Sequence, residues 1–218
     1  MNHNADIATP LLAEEAAWRG PDGLAALEER LWQELSLAAA TKGHGWRIAA
    51  LATVGPDGLP DARNVVLREV DPAMRRLCFF TDARAPKVTH LRHQPQAVLL
   101  MWCPRLAWQL RLTLNCEVQE EGLAASSRWA QLKLTPAALD YLSQRAPGTT
   151  LAPQDLPTAM DPAALAASAA LQAPALSNRE YFAMVMGEVR KLDWLGLAPG
   201  GHRRAQFSAG AEPCWLQP

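Results

Sequence analysis

The stretch "QLRLTLNCEVQ", residues 109–119, carries the clearest period in the chain. Leu110, Leu112, Leu114, Cys116 and Val118 alternate strictly with Gln109, Arg111, Thr113, Asn115, Glu117 and Gln119. A period of two puts all the apolar side chains on one face, so the stretch reads as a half-buried β-strand whose other side faces water or a ligand.

The segments around it follow the same logic. "RIAALATV" (Arg47–Val54), "DARNVVLREV" (Asp61–Val70) and "RLCFFT" (Arg76–Thr81) are short strand patterns joined by the turns "GPDG" and "DPAMR". Close spacing of this kind predicts an antiparallel meander. A helix is expected from about Ala85 to Gln94, and then an apolar strand, "QAVLLMWC" (Gln96–Cys103), that reads as buried on both faces. Late strands are expected in "YFAMVMGEVRKLDWLGL" and "RRAQF".

Helices flank this β-rich centre. Residues 1–20 read as a loose arm. Pro21–Gly43 has an apolar stripe at Leu24, Leu27, Leu31 and Leu35, with Asp22 placed to cap it and Gly43 to end it. Further helices are expected at Leu123–Leu134, Pro136–Gln144 and Asp161–Gln172, with a Pro-, Gly- and Thr-rich loop between the last two. The whole predicts one domain over residues 1–218, mostly β with α additions: a small antiparallel β-barrel decorated by helices, with residues 146–175 as a loop-and-helix insertion.

Bulk properties narrow the partners. The net charge of −1 over 218 residues provides no global field for nucleic acid or an anionic membrane. No run reaches the ~18 apolar residues of a membrane span, and the first residues lack the basic-then-apolar pattern of a signal peptide. The four cysteines, Cys78, Cys103, Cys116 and Cys214, form no CxxC pair, and three lie in apolar strand-like runs. They read as reduced thiols in a cytoplasmic protein, without a metal site.

Local chemistry concentrates in "FFTDARAPK", residues 79–87. A hydroxyl, two cations and a helix N-terminus meet where a strand turns into a helix, and these are the groups a phosphate needs. A solvated basic corner has the same composition.

The order of motifs resembles the pyridoxamine 5′-phosphate oxidase family of FMN-binding split barrels. The resemblance rests on R-x-V-V-L-R (Arg63–Arg68), a turn, F-F-T with a cation-rich corner ending in Lys87, Gln109 opening the alternating strand, and "DWLGLAPGGHRRAQF" with its Trp and His-x-Arg. It covers roughly half the chain and leans towards a less characterised subgroup rather than the biosynthetic oxidases. It implies a homodimer with FMN at the subunit interface. Arg63 and Lys87 would hold the FMN phosphate, with Arg84 standing in for a missing Arg at Pro86. Asn64, Val65, Val66 and Leu67 would lie along the flavin, Val65 and Val66 through their backbone. Arg68 would sit near the ring and substrate. Phe80 and Thr81 would line the site, Gln109 and Arg111 the ring edge, and Trp194 and Arg204 would close it. Arg68 and His202 are the implied catalytic residues. The implied activity is that of an FMN-dependent oxidoreductase similar to pyridoxamine/pyridoxine 5′-phosphate oxidase, acting on pyridoxamine or pyridoxine 5′-phosphate or on an unrelated small molecule, with oxygen or a nicotinamide as the other redox partner. A non-catalytic flavin carrier or sensor, a reductase using a nicotinamide donor, and a barrel that binds another phosphorylated ligand are the alternatives.

Some features depart from the family pattern or admit a plainer reading. Gly200 replaces an Arg that would hold a pyridoxal substrate, and the substrate-phosphate clamp has only Arg128, Lys133 and Tyr141 as candidates. His90 and His93 lack a third ligand and read as surface or helix-end residues. Trp102, Trp108 and Trp129 read as core or dimer packing, and Asp82 as a helix cap. Arg63 and Arg68 are five apart, so on a regular strand they face opposite ways. A bulge, or a site wrapping a strand end, is needed if both serve one ligand.

Overall fold

A computed structural model describes residues 18, 20, 22–141, 143, 145–155, 181–198 and 200–218. The expected helix Asp161–Gln172 lies outside the described residues.

The strands are β1 (Ile48–Val54), β2 (Pro60–Asp71), β3 (Arg76–Asp82), β4 (Gln96–Cys103), β5 (Trp108–Gln119), β6 (Phe182–Gly196), β7 (Arg203–Ser208) and β8 (Cys214–Leu216). They run antiparallel in the order β3-β2-β1-β4-β5-β6-β7-β8, and β6 also pairs with β3. That extra pairing closes six strands into a barrel. β6 forks along one edge: its first half pairs with β3 from Phe182 to Glu188, its second with β7 from Lys191 to Gly196. On the other edge its register with β5 shifts between Thr113 and Leu114, so Arg190 is the extra residue where β6 changes partner.

Alternation fills the barrel. Leu51, Leu67, Leu77, Phe79, Leu99, Leu110, Leu112, Leu114 and Val185 are buried together inside. The expectation that β4 is buried on both faces is corrected: its burial alternates, leaving Leu100 41% and Trp102 43% exposed. A barrel wall has one interior, so the second apolar face of this strand points outward.

Helix α1 (Gly23–Ala40) lies against β2. Leu27, Leu31 and Leu35 are fully buried, each worth about 1.5–3 kcal/mol. That outweighs the cap: Asp22 stands at the N-cap position without a side-chain hydrogen bond, forgoing about 1 kcal/mol. The helix ends at Ala40, and Gly43 follows at φ +85°. Trp18 is buried against Trp108 and Trp194, so this residue of the expected loose arm is part of the core. Gly23 permits that contact, since a Cβ there would stand 1.9 Å from the Trp18 carbonyl oxygen.

Helix α2 (Pro86–His93) has Pro86 in its first turn and buries Val88 and Leu91. Helix α3 (Gly122–Leu132) covers a second cluster outside the barrel, in which Trp129, Leu132, Tyr141, Cys78 and Phe182 meet. The helix expected at Pro136–Gln144 is a 3₁₀ turn, Pro136–Tyr141. Cys78, Cys103 and Cys116 are buried free thiols, and burial pushes Cys78 and Cys116 up to about 12. Among the described residues no helix is long and apolar enough to cross a membrane.

Candidate functional site

Five polar or charged residues are buried among those described: Glu34, Thr53, Thr81, Asp82 and Asp193. A buried polar group is costly unless it is bonded. Four of the five are bonded to cations that the sequence had marked as site residues, and these contacts define two centres.

The first centre lies where β1, β2 and β3 meet α2. Thr53 and Thr81 are on the inward-facing register of β1 and β3, beyond Leu51 and Phe79. Arg63 donates from Nη1 to Thr53 Oγ1 (2.7 Å) and to the Leu51 carbonyl (3.2 Å), and pairs with Asp61. Lys87 donates from Nζ to Thr81 Oγ1 at 3.0 Å. Burial holds Lys87 below the ordinary lysine range and the nearby Arg63 charge adds to this, while Asp82 and Asp61 pull the other way. Arg63 and Lys87, far apart in sequence, therefore feel each other's charge. His90 belongs to the same group: it stands in the last turn of α2, as its helix-end reading had it, and its Nδ1 lies 3.0 Å from Thr53 Oγ1.

Asp82 does not cap α2, whose N-cap residue is Ala85. Its carboxylate accepts from the Arg84 backbone N–H (2.7 Å), Arg84 Nε (3.0 Å) and Arg84 Nη2 (2.7 Å). Arg84 also donates to the Ser143 carbonyl and stacks 3.3 Å over the Tyr181 ring. The corner thus uses Arg84 to tie down the chain, leaving Lys87 as its inward cation.

The second centre is on the outer face of β5, β6 and β7. Gln109, Arg111, Asp193 and Arg204 share that face through the pairs Gln109↔Leu195, Arg111↔Asp193 and Leu195↔Arg204. Asp193 accepts from Arg111 Nη2 (2.5 Å) and, in a two-point contact, from Arg204 Nε (3.0 Å) and Nη2 (2.8 Å). Burial alone would push the Asp193 carboxyl up, but the bonds from Arg204 and Arg111 outweigh it and hold it below the usual range. Asp193 was not foreseen; its place beside Arg111 in the outer register was the available signal. The outward apolar residues Leu100 and Trp102 pair with Arg111 and Gln109 of this centre, and Ile48 on β1 is a further exposed apolar residue.

The remaining marked residues divide. Arg63 shares the inward register with Val65 and Leu67, whereas Arg68 stands at a bulge between Leu67 and Glu69 and lies over the Phe80 ring at 5.6 Å. The two arginines do face opposite ways. Arg68 Nε is buried without a partner. Val65 and Leu67 are core side chains, Val66 is half-buried and Asn64 exposed. Trp194 is 1% exposed, packed with Trp108 and Trp18, so its ring is inside the wall rather than on the face of Gln109. His202 is exposed. Of the clamp candidates, Arg128 is taken by a two-point pair with Glu69 (3.0 and 2.9 Å) and Tyr141 is buried against Trp129 and Phe182. Among the described residues no group of His, Cys, Asp or Glu could hold a metal ion.

The forked six-strand barrel with its helical additions is a split barrel, and comparison with solved structures agrees. Residues 29–120 match the family model described as pyridoxamine 5′-phosphate oxidase, FMN-binding domain. The pyridoxine/pyridoxamine 5′-phosphate oxidase of Thermosynechococcus vestitus is 46% identical over 67 residues, 31% of this chain and 31% of that protein. That of Chromohalobacter salexigens is 37% identical over 87 residues, 38% and 40% of the two chains. The matched part is about a third of the length of these curated relatives. Among solved structures, a pyridoxamine 5′-phosphate oxidase-related, FMN binding protein from Nostoc punctiforme has a TM-score of 0.62 at 21% identity, covering 91% of this chain and 98% of that one. PhzG from Burkholderia lata, in complex with tetrahydrophenazine-1-carboxylic acid, has a TM-score of 0.66 at 18% identity, covering 93% and 96%. At such identities these two show the fold. Over residues 29–120 the chain is similar to the pyridoxamine 5′-phosphate oxidase family.

Proposed function

We propose that the chain is an FMN-binding oxidoreductase that works in the cytoplasm as a homodimer on a small molecule. The observation that carries the reading is the convergence of Arg63 and Lys87, each braced by a buried threonine hydroxyl. Burial first, and repulsion from the nearby Arg63 charge second, lower the Lys87 pKa. A dianionic phosphate would relieve that repulsion. The residues present fit that group: one fork and one point charge beside the first turn of α2.

When bound, FMN supplies the acceptor for a hydride from the substrate. This chain's residues then have separate tasks. Arg63 and Lys87 grip the phosphate. Arg68, whose buried Nε has no partner, has a donor to spare for the ring or the substrate. Gln109, Arg111 and Arg204 offer a hydrogen-bonding and cationic edge, which favours negative charge developing on a reduced ring. Trp194 supports that edge from inside the barrel. His202 stands on the segment between β6 and β7 as the substrate-side group. The outward Ile48, Leu100 and Trp102 support pairing with a second copy, which would bring its own outer edge to the site.

The substrate proposed is not a B6 phosphate ester. Arg128 is occupied by Glu69, Tyr141 is buried, and Gly200 has no side chain for the pyridine ring. The same losses favour a second reading, a flavin carrier without turnover. FMN titration of Arg63→Ala and Lys87→Ala tests the phosphate site: each is expected to weaken FMN binding at least about tenfold, the worth of one charge-assisted bond, and wild-type affinity in both would refute it. Anaerobic bleaching of the FMN-loaded protein by an oxidisable amine or a nicotinamide separates enzyme from carrier.

A further inference from the structure

Thr53 and His90 have no place in the family resemblance, yet both stand behind Arg63. We infer that His90 is a positioning residue for the cofactor phosphate, acting through Thr53 on Arg63. This rests on the reading that Arg63 holds that phosphate.

The contacts at the Thr53 hydroxyl carry the inference. A guanidinium only donates, so Thr53 Oγ1 accepts from Arg63 Nη1 (2.7 Å). The second contact of Thr53 Oγ1 is His90 Nδ1, 3.0 Å away, to which the hydroxyl donates or from which it accepts according to the imidazole tautomer. The contacts run Arg63 to Thr53 to His90, and in either tautomer the imidazole fixes the hydroxyl that accepts from Arg63. Thr53 is 2% exposed, so water does not replace this acceptor.

The ring is seated for the purpose. On its far side a Cβ at Gly55 would lie 3.4 Å from His90 Nε2 and 2.6 Å from Asp57 Oδ1, so glycine leaves room for the imidazole between Thr53 and the β1–β2 turn. His90 is also one helical turn after Lys87, on the same side of α2. One helix thereby carries the second phosphate cation and the brace for the first, so that docking α2 fixes both together.

The test compares FMN with riboflavin, which lacks the phosphate, by titration against five variants. His90→Gln moves the side-chain amide to the place of Nε2 and loses the Nδ1 contact, whereas His90→Asn keeps a polar atom near Nδ1. Thr53→Val loses the relay and Thr53→Ser keeps it. His90→Gln and Thr53→Val are expected to weaken FMN about three- to tenfold, the range of one neutral hydrogen bond, with riboflavin affinity unchanged. His90→Asn and Thr53→Ser are expected near wild type. Arg63→Ala separates the two levels. If it weakens FMN while His90→Gln does not, or if His90→Gln weakens riboflavin equally, the positioning role is overturned and the phosphate site stands. If Arg63→Ala itself binds FMN as wild type does, the phosphate site falls and the brace falls with it.

Discussion

Asp193 and Arg204 meet in a two-point contact across the β6–β7 pair, and the same carboxylate accepts Arg111 from β5. One 4%-exposed anion thus ties together three strands just where the sheet runs on past the closed barrel.

Asp193→Asn should therefore loosen β7. Removing one partner of a buried ion pair costs several kcal/mol, and the arginines' access to water reduces this to about 2 kcal/mol here. Thermal unfolding at neutral pH is the measurement. The pH dependence has a definite sign. The folded pKa of Asp193 lies below its unfolded value, so its stabilisation is complete above the unfolded value and fades as pH falls through the folded one. Acid should therefore narrow the gap between wild type and Asp193→Asn.

Lys87 predicts a split between stability and binding. Its folded pKa is lowered, so the native state bears a penalty for the buried charge below that pKa, and the penalty vanishes above the unfolded value. Lys87→Met should melt at the same temperature as wild type or higher at pH 7 without FMN, yet bind FMN poorly. In wild type, FMN affinity should fall as pH rises through the lowered Lys87 pKa, because above it binding must take up a proton. A flat profile in wild type would contradict the assignment.

Trp102→Glu and Leu100→Asp place charge on the outward side of β4. If that side is the dimer seam, sedimentation should show monomers, with the melting temperature of the separated chain little changed. A mass still equal to two chains would move the seam elsewhere.

Gly23→Ala tests the anchoring of Trp18. The Cβ would meet the Trp18 carbonyl oxygen at 1.9 Å, and backbone cannot yield as a flexible side chain can. A loss of about 1–3 kcal/mol, typical of overpacking, is expected in denaturant unfolding, with a change in tryptophan emission.

Much of the barrel was legible because its signal is local. Strict alternation from Gln109 to Gln119 and short strands between turns need no distant partner to be read. The corner where Lys87 meets Thr81 was legible for the same reason, as the two are close in sequence. What escaped were properties of closure. Nothing in "QAVLLMWC" says which apolar face turns outward; that depends on β1 and β5 flanking it. Thr53, His90 and Asp193 are ordinary residues until folding sets them beside arginines. Motif order locates Trp194 along its strand, whereas the pairing with Leu110 and Ala205 decides which side of the wall it occupies.

The fork in β6 also sets an order of assembly. β3 can pair with β2 as soon as both have left the ribosome, but its other edge waits for Phe182–Glu188, about a hundred residues later. Loop closure over such a span is slow compared with hairpin formation. During synthesis the nascent protein therefore passes through a stage with an open seam at β3, and a truncation or ribosomal stall before β6 would leave that edge free to recruit a neighbouring chain.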